Sequence, residues 1–232
     1  MGDVLMTGPA IRALKDATPS RHITLMTSLA GADAARRMPG IDDVLTYGAP
    51  WMKAEPTRAA SRQAIVHELA SRHCDAAVIF TLHSQSPLAT ALLCWLAGIP
   101  LVAARGRENP YHLVTNWVRE DESERVFRHD VERQLSLVAA LGAPPPQDGS
   151  LAFRVDESDR RAADAIIAAH GLRPGHWCML HPGASAASRR YPSESFAAAA
   201  RSLITRDRWR VIVTAGPGEE ALGVDTARLA GG

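Results

Sequence analysis

Three short strings in this 232-residue chain combine residue types that can do chemistry. In the first, the opening run, Gly2 and Asp3 stand at the entrance of an apolar, helix-periodic stretch. A carboxylate there has a plain role as a cap for orphan N–H groups at the positive end of a helix dipole, worth about 0.5–2 kcal/mol. It also has a chemical one. Ligands of open α/β folds bind at the C-terminal edge of the sheet, and a carboxylate at that edge can take a proton from an attacking hydroxyl. The second string, residues 181–192, follows an apolar run and precedes a helical one, and it holds Gly183, Ala184 and Ser185, then Arg189 and Arg190. Small residues let backbone N–H groups approach an anion, and a helix N-terminus favours negative charge. The arginines add planar forks of donors suited to phosphate; solvated loop charge is the plain alternative. His181, at the strand end, reads as a packed, hydrogen-bonded residue rather than a catalyst. This is not a Walker loop, because the G-x-x-x-x-G-K-[ST] spacing is absent.

The third string, residues 214–220, again reads strand, glycine turn, helix, and in a parallel sheet it lies beside the second. Glu219 there can accept ribose hydroxyls, as acidic residues do in dinucleotide folds. A carboxylate in the first turn of a helix is the equally simple account. Two weaker features complete the set. Ser84 and Gln85, in the turn 83–87, and Arg107, in 105–110, could touch an acceptor; helix capping and solvated charge are their plainer readings.

Composition narrows the partners. Twenty-six basic residues against twenty-five acidic ones leave a charge of +1, which disfavours nucleic acid as a partner. No apolar run reaches the roughly 18–20 residues of a spanning helix, and no basic n-region with an apolar core opens the chain. Three separated cysteines without C-x-x-C spacing argue against a disulfide framework or a zinc site. The chain reads as a soluble protein of a reducing compartment.

These strings need elements to hold them. Apolar periodicity predicts helices over 4–17, 30–38, 57–72, 88–97, 129–141, 158–170, 193–205 and 219–230. Strands are predicted over 22–27, 43–47, 76–80, 99–103, 177–180 and 209–214, the run at 76–80 apolar enough for burial on both faces of a parallel sheet. Residues 105–124 read as loop. The alternation predicts an α/β fold, doubly wound. Three consecutive prolines, Pro144, Pro145 and Pro146, mark a semi-rigid linker. The expected domains are thus 1–142, a linker at 143–154, and 155–232. The second domain shows two convincing strands and the first begins with a helix where a strand is expected, so the chain reads as truncated at both ends.

The strings together resemble glycosyltransferase family 9, the ADP-heptose:lipopolysaccharide heptosyltransferase family. The Met-Gly-Asp-Val-Leu-x-Thr-x-Pro-Ala run at 1–10 is similar to its N-terminal signature. The Leu-His-Pro-Gly-Ala-Ser…Arg-Arg-Tyr-Pro run at 180–192 is similar to its donor loop, and the Thr-Ala-Gly-Pro-Gly-Glu-Glu run at 214–220 to its next strand and turn. The resemblance implies a GT-B-like fold of two Rossmann-like domains, the second incomplete here, with the acceptor in the first and the donor in the second. It implies inverting, metal-independent transfer of a sugar, heptose from ADP-heptose, onto a lipopolysaccharide-core or other cell-envelope glycan. Asp3 would be the general base, Arg189 would replace a family lysine at the diphosphate with Arg190 able to share the task, Gly183, Ala184 and Ser185 would line the phosphate loop, and Glu219 would contact the nucleoside. Gly2, Ser84, Gln85 and Arg107 would meet the acceptor. No cofactor or metal is implied. The partners would be a nucleotide-sugar and a glycan or glycolipid, with a cytoplasmic location and peripheral contact with the inner membrane. Tyr191 stands where the family has Trp, and a later Asp-(Ser/Thr)-Gly-x-x-His segment is not found, so the chain is expected to be inactive alone. Two other readings fit the same strings: a noncatalytic nucleotide- or phosphate-binding α/β module, and a GT-B-like sugar-nucleotide epimerase.

Overall fold

Successive residues of a strand point to opposite faces, and in this chain both faces find helices to pack on. In the computed structural model, Ala77 and Ile79 of β3 (Ala76–Ile79) enter a cluster with Ala91 and Cys94 of α5 (Leu88–Leu96). Val78, with Phe80 just beyond, packs instead on Ala10 and Ala13 of α2 (Gly8–Ala17) and Val138 of α6 (Asp130–Ala139). Residue alternation and the helix on each side explain the continuous apolar run. Burial pushes the Cys94 thiol up to about 11, so it stays a neutral core residue. The structure describes residues 1–52, 59–120, 128–184 and 186–231, and the chain divides into two units, Met1–Val155 and Asp156–Gly232.

In the first unit all described strand pairs are parallel. β1 (Thr24–Thr27) pairs with β2 (Asp43–Thr46), Thr24 opposite Asp43. β3 pairs with β4 (Leu101–Gly106), and β4 with β5 (Asn116–Arg119). The remaining helices are α1 (Gly2–Met6), α3 (Leu29–Arg36) and α4 (Ala59–Ser71). The entry to β2 is tied by charge: Lys15 bonds Asp42 at 2.7 Å, and Arg72 pairs with Asp43. Those partners hold both aspartates below the ordinary carboxylate range.

Two expectations are corrected. The run 4–17 is two helices, not one. Pro9 has no N–H for the carbonyl of Leu5, so the chain breaks at Thr7, whose amide and hydroxyl both turn back to the Val4 carbonyl, the hydroxyl at 2.7 Å. Residues 116–119 form a strand where loop was expected. Asn116 and Arg119 hide the apolar pattern, and the strand is fastened by a tertiary bond, Trp117 Nε1 to the Gly106 carbonyl at 2.9 Å. The segment 143–154 lies along the first unit. Ala143 is buried, Arg12 donates to the Asp148 carbonyl at 2.9 Å, and Arg154 N donates to the Arg37 carbonyl at 2.8 Å.

The second unit begins at α7 (Glu157–Ala169), where Asp156 and Asp159 form a reciprocal capping box. β6 (Trp177–Leu180) pairs in parallel with β7 (Arg210–Val213), Leu180 opposite Val213. α8 (Ser193–Thr205) and α9 (Glu220–Ala230) contact each other and β7, and their buried residues are small: Ala197, Ala200, Gly223 and Thr226.

Candidate functional site

The parallel register of β6 and β7 decides which side chains meet in the second unit. Because Leu180 is opposite Val213, the chain leaves both strands at the same level and the next residues, His181 and Thr214, are neighbours. His181 Nδ1 lies 3.1 Å from the Thr214 hydroxyl. The loop after β6 turns through Gly183 and Ala184 into a single 3-10 turn, Ala187–Arg189, before α8. The loop after β7 turns at Gly218 into α9.

Glu219 is where the two loops converge. Its Oε1 receives Arg190 Nη2 at 3.3 Å, and its Oε2 lies 3.7 Å from His181 Nε2. Arg190 Nε also donates to the Ala184 carbonyl at 2.8 Å, which folds the loop over. Gly183 makes room for the carboxylate, since a Cβ there would lie 1.8 Å from Glu219 Oε2. The neighbouring acid does a different job. Glu220 accepts from the Gly218 N–H at 3.1 Å, and backbone N–H groups of its own residue and of Gly218 hold it below the ordinary range. Glu220 therefore serves the helix start, and Glu219 is left to face the loop.

The arginine pair divides likewise. Arg190 is engaged with Glu219 and Ala184, whereas Arg189, exposed on the 3-10 turn, makes no side-chain hydrogen bond or ion pair among the described residues. A second anion would therefore find a guanidinium at Arg189 with its donors open and, one residue on, a guanidinium already folded against the loop. Ser185 lies outside the described residues. His181 is hydrogen-bonded as expected, but it is half exposed and turned to Glu219 rather than packed. Neither it nor Thr214 was expected as a site residue from the sequence. The signal was available: aligning 177–180 with 210–213 as parallel neighbours puts 181 beside 214.

In the first unit, Asp3 lies in the first turn of α1, exposed, and its carboxylate makes no hydrogen bond or ion pair among the described residues. α1 contacts α3, α6 and α2. Its seat on α3 is Gly31, just past the end of β1: a Cβ there would lie 2.8 Å from Val4 Cγ2 and 2.5 Å from Thr27 Oγ1. Asp3 is thus carried at the C-terminal edge of the strands, where a ligand of an α/β unit binds. Ser84, Gln85 and Arg107, expected as acceptor contacts, do come together. They line one polar cleft with Ser86, Pro87, Leu88 and Glu108. Arg107 also contacts His83, and Ser86 Oγ lies 3.2 Å from Glu108. Gly2 is not part of that cleft; it stays on α1 beside Asp3.

The cleft rests on a buried polar layer. Arg133 of α6 pairs with Glu120, both side chains almost fully buried, and its Nε donates to the Thr81 carbonyl at 3.1 Å. Gln134 donates to the same carbonyl at 3.1 Å. The exit of β3, from which residues 82–88 start, is thereby clamped. Among the described residues no three His, Cys, Asp or Glu gather as metal ligands, and no helix is long and apolar enough to cross a membrane.

The family model described as glycosyltransferase family 9 (heptosyltransferase) matches residues 62–230. The glycosyl transferase family 9 structure from Veillonella parvula is 21% identical with a TM-score of 0.75, over 98% of this chain and 63% of that one. The ADP-heptose lps heptosyltransferase II of E. coli is 18% identical with a TM-score of 0.68, over 98% and 66%. The E. coli heptosyltransferase WaaC, solved with ADP, is 20% identical with a TM-score of 0.65, over 100% and 69%. The chain thus spans about two thirds of the length of these structures, and the likeness establishes the fold, α/β of GT-B type. No curated protein sequence matches it.

Proposed function

We propose that this chain, which belongs to glycosyltransferase family 9, carries the acceptor and donor sites of a sugar transferase that uses ADP-heptose and extends a lipopolysaccharide-core or other cell-envelope glycan. The donor class rests on the likeness to WaaC, solved with ADP and with ADP-2-deoxy-2-fluoro heptose. The observation that carries the reading is the open guanidinium of Arg189 beside a loop already organised by Arg190, Gly183 and Glu219. That arrangement matches the two ends of a nucleoside diphosphate: cation for the leaving diphosphate, carboxylate for the ribose hydroxyls.

In this mechanism Asp3 accepts the proton of the acceptor hydroxyl as the oxygen bonds to the anomeric carbon. The bond from that carbon to the diphosphate oxygen breaks on the opposite face, which inverts the centre. The charge that develops on the diphosphate meets Arg189 and Arg190, so guanidinium supplies what a metal would supply elsewhere. The cleft of Ser84, Gln85 and Arg107 holds the acceptor through hydroxyl, amide and cation. The enzyme works in the cytoplasm, at the inner face of the membrane that carries its acceptor.

The test is a comparison of ligands. Replacing both Arg189 and Arg190 with Ala is expected to weaken ADP about a hundredfold while changing adenosine little, given that charged hydrogen bonds contribute about 1.5–3 kcal/mol each. Equal losses for the two ligands, measured by calorimetry, would reject the diphosphate assignment.

A further inference from the structure

His181 is the member of the donor loop to which sugar transfer gives no task. Its side chain is half exposed, so packing does not fix it; two polar side chains do. Nδ1 is 3.1 Å from the Thr214 hydroxyl and Nε2 is 3.7 Å from Glu219 Oε2. With the ring proton on Nε2, toward the carboxylate, Nδ1 is left to accept from the Thr214 hydroxyl, which also lies 3.4 Å from the Leu180 carbonyl. The three groups form a chain from the exit of β7, across the exit of β6, to the start of α9. Glu219 meanwhile has a cation, Arg190, on its other oxygen at 3.3 Å.

On the strength of the donor-site reading, we propose that His181 is a positioning residue that holds Glu219 for the ribose hydroxyls when Arg190 turns to the diphosphate. A diphosphate offers more charge and more acceptor oxygens than one carboxylate, so its arrival draws the guanidinium off Glu219. Glu219 then needs another anchor, because an unanchored carboxylate regains its side-chain freedom and swings away from a nearby anion. Gly183 presents only main chain on that side, so it leaves room without supplying a cation. Among the described residues the remaining polar neighbour is His181 Nε2, already facing Oε2 and oriented by Thr214. The two side chains thereby divide the nucleotide: Arg190 follows the diphosphate, and His181 keeps Glu219 on the sugar.

The experiment titrates the 232-residue chain by calorimetry with ADP, 2′-deoxy-ADP and inorganic pyrophosphate. His181→Ala is expected to weaken ADP about tenfold, the loss of one charged hydrogen-bond partner's support, and to leave pyrophosphate unchanged. The preference for ADP over 2′-deoxy-ADP seen in the unsubstituted chain should vanish in His181→Ala. His181→Gln, whose amide N–H still reaches toward Glu219, should restore part of it. A His181→Ala loss equal for ADP and pyrophosphate marks a structural role and overturns the proposal, as does an ADP preference that persists in that variant. If the unsubstituted chain binds pyrophosphate but does not prefer ADP over 2′-deoxy-ADP, the role of His181 falls while the phosphate loop stands. If it binds none of the three, the donor site itself falls, and this proposal with it.

Discussion

Neighbouring side chains of the same type have been given different work in the loops after β6 and β7. Arg190 is spent on Ala184 and Glu219, whereas Arg189 keeps its donors open; Glu220 caps a helix, whereas Glu219 faces the loop. Strings such as Arg-Arg and Glu-Glu cannot reveal that division, because it depends on which side chain the backbone turns inward. Gly183 makes the arrangement testable. A Cβ at that position would fall 1.8 Å from Glu219 Oε2 and 2.5 Å from its carboxyl carbon. The obstacle is the end of a side chain, so the fold can relieve it by swinging Glu219 out. Gly183→Ala is therefore expected to change the melting temperature little and to weaken ADP by about tenfold, as the ribose partner and its ion pair are lost together. A variant that melts far lower would show that the loop, and not only the acid, depends on the glycine.

At the scale of elements, the position of Asp3 depends on a helix of five residues with no buried side chain. So short a helix has no stability of its own, and tertiary contact must hold it. Part of that contact is Val4 on Gly31, at the junction of β1 and α3, with α6 and α2 supplying the rest. In Gly31→Ala the new methyl meets Thr27 Oγ1, which can rotate, and Val4 Cγ2, whose β-branched side chain in a helix has one strongly preferred rotamer. α1 must then move. We expect a loss of about 1–3 kcal/mol in stability, the usual cost of overpacking, and a fall in sugar transfer without a fall in ADP binding. Denaturant titration and calorimetry on the same variant separate the two. The clamp of Arg133 and Gln134 on the Thr81 carbonyl plays the equivalent part for the cleft of Ser84 and Arg107. There the buried Arg133–Glu120 pair leaves no slack, since a charge without its partner in that layer is costly.

Across the whole molecule, the residues of the proposed mechanism are divided between two units. Asp3 and the Ser84–Arg107 cleft belong to Met1–Val155, and His181, Arg189, Arg190 and Glu219 belong to Asp156–Gly232. On the proposed mechanism, binding of the nucleotide and activation of the acceptor are therefore separable by mutation. Asp3→Asn keeps the size of the side chain and removes the base. Measured in a transferring form of the enzyme, it is expected to cut transfer about 10²–10⁴-fold, the ordinary worth of general base catalysis, with ADP affinity unchanged. Transfer at the normal rate would remove Asp3 from the mechanism.

The order of elements was written in local pattern. Apolar periodicity located α8 at residues 193–205 and β6 at residues 177–180 to the residue, because both are bounded by turn signals and carry their own apolar period. That Ser84, Gln85 and Arg107 share one cleft was likewise approachable from residue type and from their place after a strand. Three features were not. The break at Thr7 is the work of one missing N–H at Pro9, too small a signal against a continuous helical period. β5 is an edge strand whose polar residues mask its alternation and whose fastening, Trp117 to Gly106, spans 11 positions. The contact of His181 with Thr214 and Glu219 joins residues 33 and 38 positions apart, and only the parallel register of β6 and β7 brings them to one level. Propensity and hydrophobic period act over a few residues and are carried by composition; register, loop closure and the choice of which charge turns inward are set by packing between segments, which exists only once the chain has folded.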